Sequence, residues 1–582
     1  MMNFDIIHQL NISANLTDYD QSYSNFSWDQ VEEEFDWFKT GNVNMAHEAI
    51  DRHCNTERKN KVALYFVDDE GEIEYTFDQM RVMSNRFGNV LRTLGIGKGD
   101  RVFVFMPRSP GLYVSLIGIA KVGAVVGPLF EAFMEEGVKD RLADSEAVAV
   151  VTTPELKKRI PRADLPSLQY VIVVGANGEV GEGEIDYDRE MNMASDDLEI
   201  EWMQREDPLI LHYTSGSTGK PKGVLHVHNA MIGHLQTTKW VLDLRDDDMY
   251  WCTADPGWVT GTSYGIYGPW LVGATNLIRG GRFDPDAWYT TIQKYRVSVW
   301  YSAPTAFRRL MTVDDRLVQK YDLSSLRLIF SAGEPLNPVV IEWAQRMMGM
   351  PIHDTWWMTE TGMQVVANYP SLPIRPGSMG KPFPGVTVAI LDDEGRELGP
   401  NQIGNLAIKR GWPAMMQQVW KNDAKFKEYF PFGPWFISGD SAYRDEDGYY
   451  WFQGRVDDVI KTSGERVGPF EVESTLLEHP HVIEAGVIGK PDPLRGHIIK
   501  AFVCPRQGIS ESDELKEDLI KFVKTRLAAH AIPREIEFKC GLPKTRSGKI
   551  MRRVLKAWDL GLPTGDLSTM DDSLDFGTQD GH

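Results

Sequence analysis

Short apolar runs punctuate the chain at Val102–Met106, Ala124–Gly127, Ala147–Val151 and Val171–Val174, with helix-length segments between them. Runs of this length suit strands buried on both faces. The alternation resumes near Tyr250–Cys252, Ala274–Ile278, Val297–Tyr301 and Leu328–Ser331. Strands alternating with helices predict βαβ units and largely parallel sheets. Before them, Ala63–Val67 and Glu74–Thr76 read as a hairpin, with Thr76 as N-cap of a helix through Leu94. Gly95-Ile96-Gly97-Lys98-Gly99 closes that helix and precedes a strand. That order reverses a dinucleotide-binding fingerprint, so the stretch reads as a C-cap turn. Leu112–Phe130 is the most apolar stretch, but Lys121 and Gly127-Pro128 break it. It predicts a helix followed by a strand, and no membrane span.

Beyond about residue 385 the pattern changes to short strands and turns rich in Gly and Pro. A final section with helices at Pro469–His479 and Glu511–Leu527 and strands at Ala485–Ile488 and Ile498–Val503 suits a small α+β domain. The expected architecture is α/β: a large N-terminal domain over 1–456, with parallel-sheet subdomains and a β-rich one, then a small domain over 457–582. Residues 1–45 hold Trp28, Phe35, Trp37 and Phe38 among acidic residues and read as an extended cap on the main body. The tail from Gly565 is acidic and poor in apolar residues, a composition expected to end in disorder.

Composition narrows the function. The 582 residues are 42% hydrophobic and 25% charged, with a formal net charge of −21. Such an acidic balance argues against nucleic acid or an anionic membrane as partner. Cys54, Cys252, Cys504 and Cys540 show no C-x-x-C spacing, so neither a zinc site nor a disulfide framework is indicated. No secretory signal is read at the start, and a cytoplasmic location is expected. His226 and His228 alternate on one strand with His234 nearby, a pattern read as structural rather than metal-binding.

The chemistry centres on Tyr213-Thr214-Ser215-Gly216-Ser217-Thr218-Gly219-Lys220-Pro221-Lys222-Gly223-Val224, set between two predicted strands. Three glycines and four Ser/Thr hydroxyls make a loop able to wrap an anion, and Lys220 and Lys222 add charge for a polyphosphate. A P-loop requires Gly where Thr214 stands, Ser or Thr where Pro221 stands, and a following helix, so that alternative is set aside. Other stretches stand out. Ser331-Ala332-Gly333-Glu334-Pro335 follows an apolar strand, where parallel sheets bind ligands. Asp354-Thr355-Trp356-Trp357-Met358-Thr359-Glu360 sets flat walls beside polar groups, and Pro543–Lys549 is an extended basic run.

These stretches, in this order, resemble the adenylate-forming superfamily and, within it, the short-chain acyl-CoA synthetases, nearest the acetyl-CoA synthetases. The resemblance covers roughly residues 30 to 560. It implies that Thr214–Lys222 holds the ATP phosphates and that Glu360 helps hold Mg²⁺. It implies that Gly333, Glu334, Pro335 and Asp354–Thr359 line the nucleotide site. It places Asp440, Arg455 and Arg466 at the nucleotide, and Ser463-Gly464 on the CoA-binding face. Trp258, Val259, Thr260, Ala332 and Trp357 would form the acyl pocket, with Trp357 as its floor. Many family members carry Val where Ala332 stands, which leaves propionate open beside acetate. Lys549 is the lysine expected for adenylation, and Asp457 the hinge about which the small domain turns.

The implied reaction joins a short-chain carboxylate to CoA at the expense of ATP, through an acyl-adenylate. Glu360, Asp457 and Lys549 are the catalytic candidates, and ATP, Mg²⁺ and CoA the ligands. Lys549 is also the position where such enzymes are switched off by acetylation, which implies an acetyltransferase and a deacetylase as partners. Two rivals stand beside this reading: transfer to a carrier-protein thiol, and a catalytically silent nucleotide-binding regulator.

Overall fold

The computed structural model describes residues 5–8, 13–215, 221–462, 465–527, 531–545, 549–564, 567 and 570. Two large mixed sheets form the main body. In the first, the strands Pro208–Ser215, Val125–Pro128, Arg101–Phe105, Ala149–Thr152, Tyr170–Val173 and Glu184–Asp186 run parallel, in that spatial order. Pro221–Val227 folds back antiparallel on Pro208–Ser215, with Thr214 opposite Lys222. In the second, Ile352–Trp356, Leu328–Ser331, Val299–Ser302, Met249–Cys252, Thr275–Arg279 and Val62–Val67 run parallel. The hairpin strand Glu72–Thr76 closes one edge, and two-residue antiparallel strands close the other. The predicted apolar runs thus become strands covered on both faces. Phe330, Trp300, Val150 and Val104 are all buried.

Local chemistry explains several boundaries. The helix Phe77–Thr93 starts at a reciprocal cap: Gln79 N donates to Thr76 Oγ1 at 3.2 Å, and Thr76 N donates to Gln79 Oε1 at 2.8 Å. It ends with Gly95 at φ +76°, as a C-cap turn requires. The N-terminal cap departs from the extended form expected. Among its described residues it forms short helices at Tyr19–Asn25, Trp28–Glu32, Asp36–Thr40 and Met45–Ala49. Asp18, Ser27 and Asn44 cap three of them, each side chain accepting from a backbone N–H. Val31, Phe35 and Trp37 pack into the main core.

The β-rich section is a four-stranded antiparallel sheet of Val388–Leu391, Gly404–Lys409, Trp435–Arg444 and Tyr450–Arg455. Asp457 lies in the turn between Arg455 and the next strand, Ile460–Thr462. From there a five-stranded sheet carries the helices Pro469–Leu477 and Asp513–Arg526, with its own core around Val472, Val487, Val503 and Leu519. Its first helix presses against the strand before the turn. A Cβ at Gly468 would lie 1.9 Å from the Gln453 carbonyl oxygen, so only glycine fits there.

Candidate functional site

The parallel strands of the second sheet deliver their carboxyl ends to one edge, where ligands bind in open α/β sheets. Met249–Cys252 leads to Trp258, Leu328–Ser331 to Ala332 and Gly333, and Ile352–Trp356 to Trp357 and Glu360. Gly333 sits at φ +95°, a backbone state that side chains disfavour, and turns the chain sharply after its strand. The strand Pro221–Val227 of the first sheet brings Lys222 to the same place.

The carboxylate of Glu360 is the most constrained group there. Lys222 Nζ lies 2.8 Å from Glu360 Oε1, and Tyr429 Oη donates to the same oxygen at 2.9 Å. Lys222 also bonds Tyr429 Oη. Burial pushes the Glu360 carboxyl up, but the Lys222 ammonium, a backbone N–H and the Tyr429 hydroxyl together outweigh it and hold the group below its ordinary value. The backbone around Glu360 is clamped at four successive carbonyls. His226 Nε2 meets Thr359 O at 2.7 Å, Met416 N donates to Glu360 O at 3.0 Å, Trp412 Nε1 to Thr361 O at 2.7 Å, and His234 Nε2 meets Gly362 O at 2.8 Å. A carbonyl only accepts, so both imidazoles carry their proton on Nε2. Burial lowers the pKa of His226 to about 4 and of His234 to about 3, so both rings are neutral. The histidines are structural, as expected, and their object is the Glu360 turn.

The adjacent tryptophans do not stack on one another. Trp356 is the last residue of its strand and Trp357 follows it, and their indoles meet different partners. Trp356 Nε1 donates to Asp440 Oδ2 at 2.9 Å, whereas Trp357 is buried in an apolar cluster with Ala332, Tyr264 and Tyr301, against which Val259 packs. Trp258 turns its ring toward Phe130, 5.5 Å between centroids. Thr260 lies in the short helix Val259–Thr262 beside that cluster.

Asp440 and Arg455 face each other across neighbouring strands, with Asp440 Oδ1 and Arg455 Nη1 2.9 Å apart. An ionised carboxylate offers about four lone-pair sites, so Asp440 keeps capacity for two further hydroxyl donors. Asp354 is buried with Oδ1 lacking a partner among the described residues, and burial lifts its pKa to about 8. Thr355 Oγ1 donates to Ser331 O at 2.7 Å, tying the two strand ends together. Met358 N donates to Thr361 Oγ1 at 3.0 Å, closing the turn before Glu360.

The Glu334 carboxylate accepts from Thr305 Oγ1 at 2.8 and 2.9 Å and pairs with Arg308. Arg308 continues to Asn337 Oδ1 at 3.4 Å, and Asn337 Nδ2 donates at 2.8 Å to Ser474 Oγ on the helix Pro469–Leu477. This chain of bonds joins the main body to the C-terminal section.

Lys549 reaches the site from that section. The residue is exposed, so water reaches it, but crowding by protein lowers its pKa below the ordinary lysine value, and the charge of Arg455 adds to the effect. Asp440 and Asp458 act in the opposite sense. Arg552 Nη1 stands 3.6 Å from Asp458 Oδ2, in the turn that holds Asp457. Gly216, Ser217, Thr218, Gly219, Lys220, Ser463 and Gly464 lie outside the described residues, as do the side chains of Ser215 and Arg466.

Sequence reasoning missed Tyr429, Tyr301, Tyr264 and Gln364, which support the expected residues from remote parts of the chain. Among the described residues, no group of three or more His, Cys, Asp or Glu is gathered to hold a metal. One buried carboxylate beside Lys222 instead suits Mg²⁺, which takes one or two carboxylates and completes its shell with water and substrate phosphates. Glu360 fits that pattern.

Comparison with known proteins agrees with this geometry. The family model for AMP-binding enzymes matches residues 50–420, and the model for the AMP-binding enzyme C-terminal domain matches residues 471–549. An acetyl-coenzyme A synthetase of Bacillus subtilis is 62% identical over 98% of this chain and 100% of its own length. One from Methanothrix thermoacetophila is 42% identical over 92% of this chain and 86% of its own. Among solved structures, a Brucella canis acyl-CoA synthetase matches with a TM-score of 0.74 at 37% identity, covering 93% of this chain and 99% of that one. An anthranilate CoA ligase in complex with anthranoyl-AMP matches with a TM-score of 0.82 at 32% identity, covering 90% and 98%. The chain therefore belongs to the AMP-binding enzyme family, and within that adenylate-forming superfamily to the acetyl-CoA synthetase group.

Proposed function

We propose that this chain is an AMP-forming acetate–CoA ligase, converting ATP, acetate and CoA into acetyl-CoA, AMP and pyrophosphate. The observation that supports the proposal is the apolar cluster of Val259, Ala332 and Trp357 at the strand ends that lead on to the Lys222–Glu360 pair, with the Asp440–Arg455 pair reached through the neighbouring Trp356. A carboxylate alone is a poor acyl donor because its leaving group would be oxide. In the first step its oxygen attacks the α-phosphorus of ATP, the bond to pyrophosphate breaks, and acetyl-AMP forms. In the second the CoA thiolate attacks the acyl carbon, the bond to AMP breaks, and the thioester forms.

The protein's part is positioning and charge stabilisation. Thr214, Ser215 and Lys222, with the loop between them, hold the phosphates. Asp440 accepts the ribose hydroxyls, Arg455 and Arg466 supply fixed positive charge, and Asp354–Thr359 with Gly333–Pro335 frame the base and ribose. Trp258 and Thr260 flank the acyl pocket. Mg²⁺, held through Glu360, would neutralise charge on the phosphates. Lys549 stabilises the first transition state, an assignment supported by its electrostatic interaction with Arg455 and Asp440. Asp457 is the hinge between a domain over 1–456 and one over 457–582. Rotation about it removes Lys549 and presents Ser463-Gly464 to CoA. The exposure of Lys549 leaves it open to a protein acetyltransferase and deacetylase in the cytoplasm.

Ala332 supports a second reading, propionate, because a methyl or two less in the pocket wall discriminates by only about 1–3 kcal/mol. Acid-dependent ATP–pyrophosphate exchange across straight-chain acids from acetate to octanoate decides. Strongest exchange with acetate is expected. A maximum at propionate or butyrate would move the substrate assignment, and no exchange with any acid would sink the ligase reading.

A further inference from the structure

The phenol of Tyr301 lies behind the Trp357 indole, to which it is hydrogen-bonded. It is buried on the strand Val299–Ser302, and its oxygen is fully engaged. Trp357 Nε1 donates to it at 3.1 Å and Gln364 Nε2 at 3.3 Å, and Thr355 Oγ1 lies 2.7 Å away. The proton directions follow from chemistry. Indole and amide N–H groups only donate, and Thr355 spends its own proton on the Ser331 carbonyl, so Tyr301 must donate to Thr355. The phenol therefore uses one donor and two acceptor sites, its whole capacity. Burial raises its pKa, so it stays neutral across the working range. On the other side, the Tyr264 ring meets the Trp357 indole edge to face, with centroids 5.0 Å apart and planes at 89°. Tyr264 is itself fixed: Gln364 N donates to its hydroxyl at 2.8 Å, and Thr237 Oγ1 lies 2.8 Å from it.

We infer that Tyr301 is a specificity-positioning residue: its hydroxyl fixes the rotamer of the Trp357 indole and so sets the depth of the acyl pocket. The inference rests on the reading of the Val259–Ala332–Trp357 pocket as the acyl site. Without the phenolic oxygen, the buried indole N–H has no acceptor there, and the ring turns to find one. A turned indole no longer closes the floor at the same depth, so longer acids fit better and acetate is held less well.

The test is a double-variant cycle of Tyr301→Phe and Trp357→Phe. Its readouts are the acetate-to-propionate ratio of kcat/KM in ATP–pyrophosphate exchange and the melting temperature. Tyr301→Phe is expected to lower the ratio about tenfold, the scale of one methylene in an apolar pocket. In a Trp357→Phe background the same change should leave the ratio unmoved, because the indole N–H is already gone. A ratio is independent of how much enzyme is folded, so partial misfolding does not blur it. Should the single variant fail to fold, the double variant is expected to melt higher, since no orphaned indole N–H remains. Equal loss for both acids, an undiminished effect without the indole, or a double variant no more stable than the single would each overturn the inference. The wild-type ranking of acids tests the ligase reading separately.

Discussion

At the scale of single residues, the site contrasts two buried carboxylates. Glu360 has a lysine and a phenol on it and stays ionised, whereas Asp354 is buried without a cation and holds its proton up to about pH 8. A pKa raised from about 3.9 in the unfolded chain means that the folded protein binds more protons through that window. The stability it contributes is complete below about pH 4 and falls as pH rises toward 8. Asp354→Asn should therefore melt with a smaller decline between pH 5 and pH 8 than the parent chain. Parallel decline of the two would show that Asp354 ionises normally. The polar residues proposed to carry chemistry were legible because they sit in contiguous, chemically distinctive stretches. Their supports were not. Tyr429 lies 69 residues from Glu360 and Tyr301 lies 56 from Trp357, and nothing local in either stretch signals the contact.

At the scale of elements, the apolar runs were legible because a strand covered on both faces has to be almost wholly apolar. The short helices of the N-terminal cap were not. They run from 5 to 7 residues, too short for a helical period to show, and they hold through side-chain caps and packing on the core. The Glu360 turn is the functional counterpart of those short elements: it keeps its shape through donors from outside itself. His226→Phe removes the donor to Thr359 O and should lower the adenylation rate about 10²-fold, as a misplacement of about 1 Å does. His226→Gln keeps an N–H in reach and should restore most of it. Pyrophosphate exchange measured beside a melting curve separates this from simple unfolding; equal rates for Phe and Gln variants at equal stability would remove His226 from the positioning system.

At the scale of the whole molecule, the proposed reaction has two half-reactions in one site, with Lys549 assigned to the first. Lys549→Ala should lower acyl-AMP formation about 10²–10³-fold yet still convert supplied acetyl-AMP and CoA into thioester. Equal loss of both steps would contradict the division of labour. Because the Lys549 pKa is lowered, the adenylation step should fade on the alkaline side earlier than a free lysine would allow, and Lys549→Arg, which does not deprotonate, should remove that limb. The chain's division into α/β, β-rich and α+β sections was legible from the changing rhythm of apolar positions. How the last section sits on the first was not, because that rests on single contacts such as Asn337 with Ser474 and on the close approach at Gly468. The Lys222–Glu360 pair has a consequence for the order of events. With the Lys222 ammonium seated on it, the Glu360 carboxylate already holds a counter-ion, so a divalent ion would have to displace that ammonium to be held there, and an ion arriving on a polyphosphate would bring with it the anion that draws the lysine off.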